Sequence, residues 1–597
     1  MKLRTNLLWM LSALFISIIE NEHLYLNAAF HIPYIFVTLL QLKKGVYFVR
    51  TYRSAFHTVW KTFCSSILPA NSKNYIKASC VSVSYRNLCL NIRQKGAGKK
   101  EAPVGSKNVQ SVTTGVNSVR IKVKQMILII VVSAVVYLVV GAMAPFIKYK
   151  EVSSQAGDSF RPEDFRSGET GMDRAMILET SQSAWEHRLR LLDGAKSRII
   201  LSTFDMRNGE STKDLLSVIL HKAEEGVQVQ ILVDGFSGLI RMEPDPLFYA
   251  VSSHPNIRIK IYNPINLLAP WKSQGRMHDK YVIVDDGAYI LGGRNTFDYF
   301  LGDYDTKNKS LDREVLVYNT GQGGADSHES SLFQVEEYFE GVWNMPECRL
   351  FHDDESLRDK KRIKEQTALL EKRYEALQEN YKELFDGSYY YLSHTVPTNR
   401  IRLVSGPTGI YGKEPDVFYT LTELMKRAEK RVVIHTPYVV TNDYMNQTLS
   451  EIVNTVPDVK MVINSVENGD NFVASSDYQY HKKDVVATGI KLYEYDGGYS
   501  THGKSLVIDD DLCAIGSYNF DLRSTYMDTE LMLVIQSEEL TGQLLGYMGE
   551  IEKDCRTVVD THNYIVPDHV TVAEVPFWKR AAWKVVGLLL QPVRVLA

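Results

Sequence analysis

Short apolar runs and polar stretches of helical period alternate along the middle of this chain, and the alternation occurs twice. Runs at residues 198–204 (RIILSTF), 227–234 (VQVQILVD) and 257–262 are followed by a Val/Ile run at 281–284 and another apolar segment from Asp312 through Val317. The order then repeats at residues 431–438 (RVVIHTPY), 459–465 (VKMVINS), 490–495, 505–508 and from Asp528 through Leu533. Strands alternating with helical stretches predict α/β architecture with mainly parallel or mixed sheets. The repeat predicts two such halves, residues 175–345 and 397–560, packed about a pseudo-twofold axis.

The flanks follow other patterns. Residues 126–147 carry no charge, and at about 1.5 Å per helical residue they would cover the roughly 30 Å hydrocarbon core, which predicts a transmembrane helix. Arg120, Lys122 and Lys124 precede it without acids, whereas Lys148 and Lys150 are soon followed by Glu151, Asp158, Glu163 and Asp164. That asymmetry favours a cytoplasmic amino end and an extracytoplasmic catalytic part in a single-pass protein of the cell membrane. Residues 1–124 are read as a poorly structured or mis-predicted extension with short apolar runs at 7–19 and 29–40 and a basic, polar stretch from 73 onward. Residues 148–174 read as a stalk. Residues 346–396 form a connector whose Glu-, Lys- and Leu-rich part, 355–385, reads as solvated helix. In the tail, residues 561–597, Trp578, Ala582, Val585 and Leu589 share one helical face while Arg580 and Lys584 lie on another, the pattern of a membrane-interface helix.

Length and charge change this picture little. With 597 residues the chain holds two to four domains, and a formal charge of -3 gives no hint of a polyanion-binding surface. Its six cysteines have neither zinc-site spacing nor the density of a disulfide scaffold and are read as free thiols.

The candidate chemistry lies on one strand of each half. His278, Lys280 and Asp285 recur as His502, Lys504 and Asp509 at identical spacing, and a Gly-x-x-Asn sequence starts seven residues after each aspartate, ending at Asn295 and Asn519. His and Lys two apart point to one face of a strand. A phosphodiester repels nucleophiles, so cleaving it without a metal needs a neutral imidazole to attack, fixed cations on the phosphoryl oxygens and an acid for the leaving alkoxide. Two His and two Lys supply that set, with Asn295 and Asn519 adding amide donors beside Lys280 and Lys504. No metal and no cofactor are implied. Asp285 and Asp509 end their strands and are expected to support the site from behind. Because one His and Lys cannot both attack and protonate, the two motifs are expected to converge on one phosphate-sized space.

These motifs resemble the phospholipase D superfamily, whose signature is two copies of His-x-Lys-x-x-x-x-Asp. The run from Arg276 to Lys280, followed by Gly292-Gly293-Arg294-Asn295 and Asp298-Tyr299-Phe300, is most similar to bacterial cardiolipin synthases of the C-type branch. One departure is Asp279, where that branch is expected to carry Asn; between His and Lys it should face away from both. The resemblance implies two phospholipase D-like α/β halves. It also implies His278 as the nucleophile of a phosphatidyl-histidine intermediate and His502 as general acid, then base, with the reverse assignment open. Each imidazole should be oriented by a carboxylate downstream of a motif, and Glu314 and Glu530, at matching places in the repeat, are assigned to His278 and His502. Phospholipid substrates such as phosphatidylglycerol would give a cardiolipin synthase, and water as acceptor a phospholipase D hydrolase. A membrane-tethered nuclease is disfavoured by the near-neutral charge and the tail, so no nucleic-acid partner is expected.

Overall fold

The structure is a computed structural model that describes residues 123–596. Its first half lays down β1 (Asp173–Leu178), β2 (Arg198–Thr203), β3 (Gln228–Asp234), β4 (Ile257–Tyr262), β5 (Tyr281–Val284), β6 (Ala288–Gly292), β7 (Ser310–Leu311), β8 (Glu314–Asn319) and β9 (Cys348–Leu350). After the connector come β10 (Val396–Pro397), β11 (Arg400–Ser405), β12 (Arg431–His435), β13 (Asp458–Asn464), β14 (Lys491–Tyr495), β15 (Ser500–Thr501) and β16 (Ser505–Ile508). The second half closes with β17 (Leu512–Gly516), β18 (Leu531–Gln536), β19 (Cys555–Val558) and β20 (Tyr564–Ile565).

One nine-stranded sheet runs β10-β1-β8-β6-β5-β2-β3-β4-β9 and the other β11-β18-β17-β16-β12-β13-β14-β19-β20. From β1 to β4 and from β11 to β14 the two orders match strand for strand. In each, three strands joined through helices pair in parallel, β2 with β3 and β3 with β4, β12 with β13 and β13 with β14. The motif strands β5 and β16 pair antiparallel to β2 and β12. The expected mixed α/β duplication is therefore present. One exchange crosses the boundary: Val396 at the end of the connector pairs with Ala175 in the first sheet before β11 enters the second.

All four residues of β5 and of β16 are buried, as expected for continuous apolar runs covered on both faces. A shared core lies between the halves. It combines Ile177, Ile283, Leu291 and Val315 of one sheet with Val507, Ile515, Leu533 and Ile535 of the other, and adds Phe339 and Leu544 from helices Leu332–Trp343 and Glu538–Lys553. Each such side chain contributes roughly 1.5–3 kcal/mol by burial, so the two motif strands rest on a stiff common base.

Two flanking expectations need revision. The helix Val123–Met143 stops before the end of the uncharged stretch, at a turn through Pro145. Its uncharged part, residues 126–143, is about 27 Å long; among the described residues no helix is long and apolar enough to cross a membrane, so the expected single-pass span is not supported. The helix end instead packs on the body, where Tyr137 donates a hydrogen bond to the Leu268 carbonyl at 2.9 Å. The connector helix Lys361–Asn380 is not wholly solvated, because Leu370, Tyr374 and Leu377 enter the core of the first half. Arg373 fixes it there, pairing with Asp214 at 2.5 Å and Glu210 at 2.7 Å. The tail helix Phe577–Leu590 docks through Trp583 and Gly587, a Cβ on Gly587 falling 2.6 Å from the Ser476 carbonyl. Its Trp578 and Leu589 remain exposed. Cys348, Cys513 and Cys555 are unpaired. The apolar runs at 7–19 and 29–40 and the basic stretch up to residue 122 lie outside the described residues.

Candidate active site

Each histidine hangs on a strand lead-in gripped by the other half. His278 N–H donates to the Thr529 carbonyl at 3.2 Å, and Thr529 N–H to the Arg276 carbonyl at 2.9 Å. In the mirror arrangement β15 runs parallel to β7, and His502 N–H donates to the Leu311 carbonyl at 2.6 Å. The residues just past these contacts carry the acids, so each imidazole meets a carboxylate from the opposite half. His278 Nδ1 lies 2.8 Å from Glu530 Oε1, and His502 Nδ1 lies 2.6 Å from Asp312 Oδ2.

This pairing corrects the expected one. Glu530 serves His278 rather than His502, and Asp312 replaces Glu314. Glu314 is wholly buried and held by Arg188 at 2.6 and 2.7 Å, with Arg294 at 3.6 Å; it touches neither imidazole. Sequence reasoning found both Asp-x-Glu segments but not which acid of each reaches across. Asp285 and Asp509 are also displaced from the chemistry. Asp285 stands five residues beyond Lys280, about 16 Å along an extended strand. Its carboxylate accepts the N–H groups of Lys196, Ser197 and Arg198 at 2.8, 2.8 and 2.9 Å. Asp509 takes those of Glu429, Lys430 and Arg431 at 3.0, 2.7 and 3.1 Å. Both have positive φ, 49° and 54°, a conformation that Asp tolerates better than most residues. They tie the far end of the motif strand to the start of β2 or β12.

The electrostatics of the converged groups suit an anion. Burial first, then the Lys280 and Lys504 ammoniums, push His278 well below the usual imidazole range. Burial and Lys504 lower His502 as well. Both imidazoles are therefore neutral, the form that can attack or accept a proton. Burial lowers Lys280 to about 7 and Lys504 to about 8, with their mutual repulsion adding to the effect on Lys280. An entering phosphate would restore both charges. Glu530 is raised by burial to about 7 although Lys280, Ser517 and Ser524 oppose the rise; the two serine hydroxyls donate to it at 2.5 and 2.6 Å. Asp312 behaves oppositely. Burial pushes it up, but Lys504 and His502 outweigh that and hold it at about 2.

Lys504 Nζ also lies 2.7 Å from His502 Nδ1. One ring nitrogen cannot donate to Asp312 and accept from Lys504 at once, so the two contacts are alternatives. Lys504 can swing to a substrate while Asp312 keeps the Nδ1 proton. Asn519 has an equally open half. Its Nδ2 donates to the Tyr438 hydroxyl at 3.3 Å while its Oδ1 is buried without a partner. Turning the amide by 180° lets Oδ1 accept from Tyr438 and frees the NH2 as a donor. Asn295 instead accepts the Asp205 N–H at 3.1 Å through Oδ1. Phe204 packs on the His278 ring at 5.4 Å and Phe300 on the His502 ring at 5.2 Å, a pair of aromatic walls that neither motif announced. Asp279 faces away from the lysine as expected and is buried, accepting the Tyr338 hydroxyl at 3.0 Å.

Two matching sheets, with a His-x-Lys motif of each braced by an acid of the other, define a phospholipase D superfamily protein. Within that superfamily the chain is cardiolipin synthase-like: the family model described as "Cardiolipin synthase, PLD-like domain" matches residues 189–343 and 421–551. Among curated relatives, an uncharacterised Helicobacter pylori protein is 26% identical over 434 residues, 66% of this chain and 82% of that protein. Cardiolipin synthase C of Escherichia coli is 25% identical over 405 residues, 61% of this chain and 81% of that protein. Among solved structures, the phosphatidylserine synthase of Haemophilus influenzae shares the fold with a TM-score of 0.51 and 15% identity, over 71% of this chain and 95% of that one.

Proposed function

We propose that the protein is a membrane-associated phosphatidyltransferase that makes cardiolipin. The observation that carries this reading is the crossed pairing of two neutral imidazoles with opposite-half carboxylates beside two buried lysines. His278, its Nδ1 proton donated to Glu530, attacks phosphorus through Nε2 and forms a phosphatidyl-histidine. Lys280 and Lys504, with the free half of Asn519, hold the non-bridging oxygens as charge builds. The phosphate's negative charge beside His502 favours its protonation from solvent, Asp312 stabilises the resulting imidazolium, and that cation gives its Nε2 proton to the leaving alkoxide. His502, again neutral, then removes the proton of the second alcohol, which attacks phosphorus and releases His278. Phosphatidylglycerol as that alcohol gives cardiolipin, whereas water gives phosphatidic acid.

A lipid surface as partner is supported by the tail helix, which docks by Trp583 and leaves Phe577, Trp578, Val585 and Leu589 exposed beside Lys579, Arg580 and Lys584. That composition suits the headgroup boundary. The test is lipid mass spectrometry on a bacterial host lacking cardiolipin, with and without this chain. New cardiolipin is the expected result. Phosphatidic acid alone would make the protein a hydrolase, and unchanged lipids with cleaved nucleic acid would make it a nuclease.

A further inference from the structure

A phosphate site has reason to exclude acids from its mouth, because a carboxylate there repels the substrate it must admit. Asp470 breaks that expectation. It is exposed, in the loop between β13 and helix Phe472–Ala487, and it reaches the site through one short chain of contacts. The Tyr299 hydroxyl, from the opposite half, donates to Asp470 Oδ2 at 3.2 Å. The Tyr299 ring packs edge-on against Phe300 at 4.9 Å, and Phe300 is the wall 5.2 Å from the His502 imidazole. Asp470 also acts electrostatically on both His502 and Lys504, raising each against the effect of burial.

The loop holding Asp470 is fastened on both sides. Before it, Asn468 Nδ2 donates to the Tyr499 carbonyl at 2.5 Å and Ser465 Oγ to Asp496 at 2.5 Å. After it, Asn471 caps the next helix, accepting the N–H groups of Val473 and Ala474 at 3.1 Å each. These contacts hold the loop, and the Tyr299 hydroxyl orients the exposed carboxylate on it. Its place on the His502 side is where the headgroup alcohol must stand when it leaves or attacks.

We propose that Asp470, steadied by Tyr299, is a specificity-determining residue that accepts a hydrogen bond from a second polar group of the headgroup alcohol. The proposal rests on the phosphatidyltransferase reading and deepens it. The ligand chemistry is an alcohol bearing another donor two or three atoms from the reacting oxygen, which can be a hydroxyl, as in a glycerol headgroup, or an ammonium, as in an amino-alcohol headgroup. A simple monohydric alcohol has nothing for Asp470 to hold. The repulsion between Asp470 and the phosphate is then offset only for a correct partner, which is selection by a built-in penalty.

The test uses the full chain in detergent micelles with phosphatidylglycerol as donor and deuterated glycerol, ethanolamine or ethanol as competing acceptors, so that transfer to glycerol is read as labelled phosphatidylglycerol. In Asp470→Asn, transfer to the preferred polar acceptor relative to ethanol should fall at least about tenfold, the usual value of one charge-assisted hydrogen bond. The loss should appear mainly in the acceptor KM. A larger loss with glycerol assigns the hydroxyl, and a larger loss with ethanolamine assigns the ammonium. Tyr299→Phe, which keeps the ring on Phe300, should move the same ratio in the same direction by less. An unchanged ratio in Asp470→Asn, or an equal fall with all three acceptors, would overturn the proposal while leaving the transferase reading standing. A wild-type chain inert toward every lipid and acceptor would overturn both.

Discussion

The two histidine–acid pairs are built on matching strands, yet they use different acids. His278 takes Glu530, the third residue of Asp528-Thr529-Glu530, and His502 takes Asp312, the first residue of Asp312-Arg313-Glu314. The unused acid of each segment is paired with an arginine of its own half, although Asp528 also accepts the Arg276 N–H of the other half at 3.1 Å. Arg188 holds Glu314 at 2.6 Å, and Arg523 holds Asp528 at 3.0 Å. Each segment thus offers two carboxylates, an arginine neutralises one, and the remaining one crosses to the partner histidine. The consequence is a chemical asymmetry on a symmetric frame: burial leaves Glu530 titrating at about 7, while Lys504 and His502 keep Asp312 ionised down to about 2. The His278 pair can gain or lose a proton near neutrality, whereas Asp312 remains a permanent anion suited to stabilising an imidazolium.

The sharpest way to break this comparison is to remove each histidine. His278→Ala and His502→Ala should each lower turnover by about 10⁴-fold or more, as for members of a catalytic unit. With a substrate carrying a good leaving group, His502→Ala should still accumulate a covalent lipid adduct by mass spectrometry, and His278→Ala should not. Adducts confined to His278→Ala would exchange the roles, and equal adducts in both would remove the asymmetry altogether.

Next in size is the acid that does not cross. Glu314→Gln leaves Arg188 and Arg294 buried without their carboxylate and should cost about 3–5 kcal/mol in a urea unfolding curve. If the variant unfolds at the wild-type midpoint, Glu314 does not neutralise Arg188 and the account of why Asp312 crosses fails.

Glu530→Gln should cut turnover by at least about a hundredfold, because the amide can donate as well as accept and so does not enforce the Nδ1–H tautomer of His278, and it carries no charge to stabilise the ring. The pH profile sharpens the point. Below about 7 Glu530 is protonated and no longer accepts the Nδ1 proton, so wild-type turnover should fall about tenfold per unit from pH 7 to pH 5. Asp312, at about 2, adds no limb in that range. A flat profile between pH 5 and 7 would place the Glu530 carboxyl outside the chemistry.

How much of this was legible follows from how far apart the deciding residues are. The motif strands and the paired Asp-x-Glu segments repeat in sequence, and all are present in the structure, whereas the strand order of the two sheets came only with the fold. The crossing was not readable, because Arg188 acts on Glu314 from 126 residues away, from a helix whose facing direction only packing decides. The second half did carry a local signal, since Arg523 stands five residues before Asp528, near enough to suggest that Asp528 was the engaged acid. The 126–147 stretch misled for another reason: an absence of charge predicts apolar surroundings but not where a helix stops, and here it stops at Met143.

The smallest effect is expected where the halves are most alike. Asp285 and Asp509, read from sequence as supports for catalysis, each accept three backbone N–H groups at the far end of the motif strand and adopt positive φ. Alanine there removes acceptors that water can partly replace, since both sites are near the surface, and adds left-handed strain, about 1–2 kcal/mol together. Asparagine keeps an acceptor and tolerates the backbone, so it should cost about half as much. The two halves should respond equally in unfolding midpoint, with turnover per folded molecule unchanged, because neither carboxylate reaches an imidazole. A selective loss of turnover in Asp285→Asn would return that residue to the chemistry, and would mean that the rigidity of β5, more than that of β16, sets the attack geometry of His278.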